Sequence, residues 1–246
     1  MVRHKKPLLS LTMDQEAFRA KLPIAKASLM EWDRFLHNTR SPISQLIYGQ
    51  IVYEMNCQSC GYVSKTWQHW PVFVINIPDD VRSSDSVPLT HLLSDAFAPY
   101  RVDYWCEFSC KKKGKIAMTR GRLSRCPDVI IMQINRTMFG TEGQYGKVNT
   151  KVTFDLNHLD MTPYFIPLDG VDPGQLNETC QPPFIYQCNA VIQHVGARLT
   201  AGHYWTLSRV PGQLEWLNYN DTDVYSVDPK ETQSKSSYIL IYQRKM

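Results

Sequence analysis

The sequence predicts an α+β protein, mainly antiparallel β, with its helices gathered at the N-terminus. Three observations predict it. In the first 48 residues apolar positions recur at helical spacing, with Leu29, Trp32, Phe35 and Leu36 inside "ASLMEWDRFLHN". From "LIYGQIVYEMNC" onward the chain changes to short runs rich in Val, Ile, Tyr and Phe, broken by Pro and Gly, which is the composition of strands. The last third continues this pattern through "FIYQCNAVIQHVG", "GHYWTLSRV", "LEWLNYND" and "SSYILIYQR". With 246 residues, 43% of them hydrophobic, there is material for one large or two small packed domains.

Taken in order, "DQEAFRAKL" and "ASLMEWDRFLHN" are helices, "WPVFVINIP" and "CPDVIIMQINR" are strands, and "PLTHLLSDAF" between them is a short helix. "IPLDGVDPGQLNETCQPP", which follows "KVTFDLNHLDMTPYF", has the composition of a surface loop. The net charge of +4 is a small surplus of 27 basic over 23 acidic residues, spread out except for "KKKGK" at 111–115, so the sequence does not point to nucleic acid. No stretch approaches the roughly 20 apolar residues of a membrane span, and a soluble, intracellular protein, cytoplasmic or nuclear, is expected.

Cysteine usage agrees. Seven is an odd number, and four of the seven form two close pairs, "CQSC" at 57–60 and "CEFSC" at 106–110, separated by 45 residues. Zinc takes four thiolates in a tetrahedron, and C-x2-C spacing lets one tight turn present two sulfurs to the same ion; Gly61 suits the bend. The second pair is one residue longer, which a bulge can absorb. Cys57, Cys60, Cys106 and Cys110 are therefore expected to hold a structural zinc with no position open for catalysis. Three N-x-S/T sequons, at Asn135, Asn177 and Asn220, point the other way, towards secretion, but so short a pattern often arises by chance.

"TAGHYW" at 200–205 places His203 after a glycine at a strand start, and Asn220 and Asp221 follow in "YND". His203 and Asn220 are symmetric about Pro211-Gly212, so a hairpin turning there sets them directly opposite, with Cβ atoms about 4.5–5.5 Å apart. An amide oxygen at that range accepts the imidazole N–H and leaves the other nitrogen as a base; a polar cross-strand pair without chemistry is the alternative. Asp221 points to the other face unless a bulge exchanges it with Asn220. His194, His158, His91, His69, His37 and His4 have no partner at telling spacing and are read as surface or satisfied polar residues. No G-x-S-x-G and no phosphate-binding glycine loop is present.

Several stretches together resemble the ubiquitin-specific protease family. "SPISQLIYGQIVYEMNCQSCGYVSKTWQHWPVFVINIP" resembles the entry into its zinc-bearing fingers, and "CEFSCKKKGKIAMTRGRLSRCPDVIIMQINRT" the second zinc knuckle and a palm strand. "YQCNAVIQHVGARLTAGHYWTLSRV" resembles the histidine box, and "EWLNYNDTDVYSV" with "SYILIYQR" the closing segment. The resemblance runs from about residue 41 to the end.

It implies a papain-like hand fold, here partial with its N-terminal helical lobe truncated: a helical thumb remnant at 1–48, fingers at 49–125 and a palm at 126–246. His203 would be the catalytic base, Asn220 its orienting partner and Asp221 a helper. Gly196, Gly202 and Tyr204 would border the channel for the ubiquitin tail, and the four paired cysteines would be the zinc ligands. The implied activity is thiol-dependent hydrolysis of ubiquitin conjugates, and the implied partners are ubiquitin or ubiquitinated proteins.

The nucleophile is the departure. The family's glycine-asparagine-threonine-cysteine box is not found, and no cysteine precedes Cys57. Cys126, Cys180 and Cys188 do not stand at helix N-termini, where a thiol pKa is lowered. The thiol is then expected from a missing N-terminal segment or a partner chain; a ubiquitin-binding protein without activity is the alternative.

Overall fold

The structure is a computed structural model that describes residues 11–106, 110, 115–139, 145–172, 174, 176–198 and 201–245. Most of the basic run, 111–114, and Leu199 and Thr200 of "GARLTAG" lie outside the described residues. The chain divides into two compact units: Met1–Pro71, Phe97–Asp128 and Met161–Phe184 form the first, and Val72–Ala96, Val129–Asp160 and Ile185–Met246 the second.

In the first unit the helices Met13–Lys21 and Pro42–Ile47 begin at side-chain caps, whereas Ile24–Thr39 follows Pro23 without one. Thr12 and Gln15 satisfy each other's backbone N–H ahead of Met13–Lys21, whose acids sit in the first turn and whose bases sit in the last, as the helix dipole favours. Ile24–Thr39 buries Ala25, Trp32 and Phe35. Its one buried carboxylate, Glu31, is paired with both Arg19 and Arg34, which removes the penalty of an isolated buried charge. A further helix, Pro42–Ile47, follows Ser41, which caps it through Ser44.

A four-stranded antiparallel sheet follows in the order Val63–Trp70, Gly49–Cys57, Lys115–Arg125, Tyr100–Tyr104. Ala25, Val52 and Ile166 form a core cluster, with Trp67 and Phe165 packed against it. The stretch expected to be a surface loop is not one throughout, because Ile166, Leu176, Thr179 and Cys180 are buried. Its Pro and Gly content excludes strand pairing, but four well-spaced side chains suffice to anchor it.

The second unit is built on an eight-stranded sheet. Its main path runs Asp223–Val227, Trp216–Asn220, Ala201–Arg209, Ile185–Arg198, Ser237–Arg244, Val129–Asn135, Phe73–Asn76, with Leu159–Asp160 pairing off it. All of these pairings are antiparallel except Phe73–Asn76 with Val129–Asn135. The helix Leu89–Ala96 buries Leu89, Leu92 and Leu93, and the central strands bury Ile130, Met132, Val191, Leu240 and Tyr242.

Arg136 is fully buried and has no acid partner among the described residues; it donates to the carbonyls of Ser237, Val148 and Thr150 at 2.8–3.0 Å, and burial pushes its pKa down to about 10. The expected α+β class holds. The strand Asp223–Val227, at the sheet's edge, is not among the strands the sequence predicts; four of its five residues are exposed.

Candidate active site and metal centre

His203 lies in Ala201–Arg209, paired across from Val195 of Ile185–Arg198. Between them the ladder is irregular, and two glycines permit the close approach. A Cβ on Gly196 would lie 2.3 Å from the Ala201 carbonyl oxygen, and one on Gly202 would lie 2.2 Å from the Val195 carbonyl oxygen. No side chain fits at either position.

The hairpin carrying His203 and Asn220 is offset from the expected register. Thr206 pairs with Tyr219 and Arg209 with Trp216, so the ladder, continued, sets Asn220 against Trp205 and not against His203. Pro211 is the cause. A two-residue hairpin needs φ > 0 at its first central residue, which proline cannot adopt. Instead Val210 to Gln213 form a turn with Gly212 at φ +74°, closed by Gln213 N–H to the Val210 carbonyl at 3.0 Å, and the strands rejoin at Val210 N–H to the Glu215 carbonyl. The loop is two residues longer and the pair becomes diagonal, still within reach of two long side chains.

They meet: His203 Nε2 is 2.5 Å from Asn220 Oδ1. An amide oxygen only accepts, so Nε2 carries the proton and Nδ1 is left with its lone pair. Asp221 does not point away. It sits in the turn after Trp216–Asn220 with φ +53°, a left-handed conformation that Asp tolerates, and its Oδ2 is 3.9 Å from the same Nε2. The imidazole is 44% exposed, and the Trp205 ring lies alongside it at 5.9 Å and 20°. Spacing alone did not pick out Trp205; it shares a face with His203 because it is two residues on in a strand.

Tyr204, on the opposite face, is half exposed and stacks on His194 at 4.3 Å. His194 is not the surface or satisfied residue that the sequence suggests. It is fully buried, and neither ring nitrogen has a hydrogen-bond partner among the described residues.

The four paired cysteines come together in the first unit. Cys57 Sγ is 3.9 Å from Cys110 Sγ, Cys60 Sγ is 3.7 Å from Cys106 Sγ, and all four sulfurs lie within 4.8 Å of one another. A tetrahedron of Zn–S bonds near 2.3 Å has edges of about 3.8 Å, so the set fits zinc. The Cys57 carbonyl accepts from Gly61 N–H at 2.8 Å, and Gly61 has φ +71°, the bend that brings Cys60 back towards Cys57. The extra residue in the second pair does not keep Cys110 away. Cys57 and Cys106 are buried, Cys110 is half-buried and Cys60 is exposed. When bound, zinc would cross-link the end of Gly49–Cys57 to the 106–110 segment, with no coordination position left for a substrate.

The other three cysteines are buried. Burial pushes the Cys188 thiol up to about 12, and it donates to the Ala190 carbonyl. Cys188 is the one cysteine in the unit that carries His203, and it lies seven residues along the strand from Val195, roughly 23 Å at strand rise.

A histidine tied to an amide oxygen on a glycine-bearing hairpin, and four thiols gathered on a separate sheet, are the arrangement expected of the family the sequence resembles. The family of the ubiquitin carboxyl-terminal hydrolases matches residues 7–242, and the chain belongs to it. It is 31% identical to ubiquitin carboxyl-terminal hydrolase 4 of Vanderwaltozyma polyspora over 97% of its own length and 27% of the relative's. To ubiquitin carboxyl-terminal hydrolase 5 of Saccharomyces cerevisiae it is 29% identical over 98% of its length and 29% of the relative's. The chain thus spans little more than a quarter of these relatives. In fold it is similar to chains of the yeast SAGA DUB module. One of these is the Ubp8/Sgf11/Sus1/Sgf73 module bound to ubiquitin aldehyde, with TM-score 0.68, 19% identity, 91% of this chain and 48% of that chain covered.

Proposed function

We propose that this chain supplies the base and the orienting amide of a thiol-dependent deubiquitinase, and that the C-terminal tail of ubiquitin is its ligand. The observation that carries the reading is the 2.5 Å contact between His203 Nε2 and Asn220 Oδ1, which leaves Nδ1 as the base. In the reaction, Nδ1 takes the proton of a cysteine thiol and the thiolate attacks the carbonyl carbon joining ubiquitin's last residue to an amine. The imidazolium then returns the proton to the departing amine, and water hydrolyses the thioester. Asn220 holds the ring through both transfers. Asp221, 3.9 Å away, stabilises the imidazolium formed between them.

The thiol is supplied by a segment or partner outside this sequence, because the cysteine on the same unit is buried and distant from His203. The same observation favours a second reading, in which the chain binds ubiquitin and performs no chemistry. An intracellular setting, cytoplasmic or nuclear, belongs to the proposal, since reduced thiols persist there.

Titrating the purified zinc-loaded chain with ubiquitin, and with ubiquitin shortened at its C-terminus, tests the reading. Binding that weakens on shortening supports it, and no binding up to about 1 mM overturns it. Ubiquitin bearing a thiol-reactive C-terminus is expected to leave the chain unmodified. An adduct abolished by His203→Ala would instead give the nucleophile's role to Cys126, Cys180 or Cys188.

A further inference from the structure

His194 has no place in the chemistry above, yet a fully buried imidazole with two unpartnered nitrogens calls for a physical reason. Its backbone is held from two directions: its N–H donates to the Ser236 carbonyl at 2.8 Å, and its carbonyl accepts from Lys147 Nζ at 2.7 Å. The ring is therefore fixed in place at its root.

What the ring touches is the backbone around His203. His194 pairs with Tyr204 and Val195 with His203, so His194 and Tyr204 share one face of the sheet while His203 points from the other. The imidazole stacks on the Tyr204 ring at 4.3 Å and 22°, immediately after His203. Its Nε2 edge occupies the space beside Gly202, immediately before His203, where a Cβ would lie only 2.5 Å away. One flat side chain thus meets both neighbours of the base from beneath. Tyr238, 5.8 Å from the ring, donates no hydrogen bond to it among the described residues.

We propose that His194 is a positioning residue: its ring, wedged between Gly202 and Tyr204, sets the path of residues 202–204 and so aims His203 at Asn220. The inference rests on reading His203 as the base, but it concerns geometry that exists without ubiquitin. The His203–Asn220 contact is largely exposed, so water competes for both groups and the contact alone would hold the ring loosely. A buried wedge under the backbone directs the side chain where solvent cannot interfere. Burial, and then Lys147, lowers the His194 pKa, which favours the uncharged ring that suits a spacer between a glycine and an aromatic ring.

The test is nitrogen NMR on the labelled full chain at about pH 9, where an ordinary imidazole is uncharged, reading the two ring-nitrogen shifts of His203. A ring locked by Asn220 gives two well-separated shifts, and Asn220→Ala supplies the unlocked reference. His194→Ala is expected to shrink the separation by roughly half or more, towards that reference, as the ring exchanges tautomers in water. His194→Phe, which keeps a flat ring on Tyr204, is expected to retain it. Should His194→Ala unfold the sheet, His194→Leu takes its place, filling volume without a flat ring, and is expected to lose the separation. A folded Ala or Leu variant with unchanged shifts overturns the proposal, and so does a Phe variant that loses the separation as fully as Ala. Ubiquitin is absent from this measurement, so the result is independent of whether ubiquitin binds.

Discussion

The four thiols at the end of Gly49–Cys57 and the imidazole–amide pair near the start of Ala201–Arg209 are both polar clusters at strand ends, built to opposite specifications. The thiols face one another in a closed tetrahedral set, two of them fully buried. His203 is 44% exposed, Asp221 beside it is 78% exposed, and Asn220 and Asp221 both take the same Nε2, which leaves Nδ1 to a reaction. The first arrangement does nothing until a metal arrives and then holds the chain together; the second contributes little stability and leaves a reactive atom available. A cluster whose members satisfy one another serves the fold, whereas one with a group left over can serve a reaction.

The largest effect expected to sharpen this contrast is at the thiols. Structural zinc in small domains supplies on the order of 10 kcal/mol of folding free energy, though a larger unit leans on it less. Chelation, or Cys106→Ala at a fully buried ligand, is expected to lower the melting temperature by about 10 °C or more, and metal analysis should find about one zinc per chain lost. Equal melting with and without chelator would break the comparison on its structural side.

A second, smaller effect lies in the same unit. His69 stacks face to face on Phe35 at 4.1 Å with Gln50 Nε2 3.1 Å from its Nε2, and its pKa is pushed down to about 4, by burial first, with Glu31 opposing and Arg34 reinforcing. The ring is neutral when folded and charges more readily when unfolded. Between about pH 6.5 and 4 the unfolded chain therefore binds the extra proton, so stability is complete above that window and falls as the pH drops through it. The loss is about 2 kcal/mol after allowance for partial exposure. Urea unfolding at pH 7.5 and 4.5 should show it, and His69→Phe, which keeps the stack, should reduce the pH dependence by that amount.

Much of this was legible in the sequence, and the failures have causes. C-x2-C spacing is a property of one turn, so the thiol cluster could be read locally. His203 and Asn220 could be paired because one hairpin joins them, but their register depended on what Pro211 permits, and ignoring that gave a direct pairing in place of a diagonal one. His194 could not be found, since its meaning comes from Gly202 and Tyr204 across a strand pair and from Lys147, 47 residues away. Arg136 was hidden in the same way: its three carbonyl acceptors come from 148, 150 and 237, and nothing in "INRT" announces a buried cation held by distant backbone, with Nη2 unpartnered among the described residues.

At the exposed pair the expected stability effects are the smallest. His203→Ala removes an exposed contact and should change unfolding free energy by less than about 1 kcal/mol, leaving ubiquitin binding intact. Paired with a thiol-bearing segment of a relative, the same variant should abolish hydrolysis, a change of several orders of magnitude. Asp221→Gly separates the two properties further. Glycine relieves the left-handed backbone at φ +53°, which should stabilise the hairpin by about 0.5 kcal/mol, while removing the carboxylate 3.9 Å from Nε2. The variant is expected to melt slightly higher yet, paired with a thiol-bearing segment of a relative, to hydrolyse more slowly, because the imidazolium has lost a neighbouring negative charge. Unchanged hydrolysis would remove Asp221 from the site and leave Asn220 as the partner of the base among the described residues.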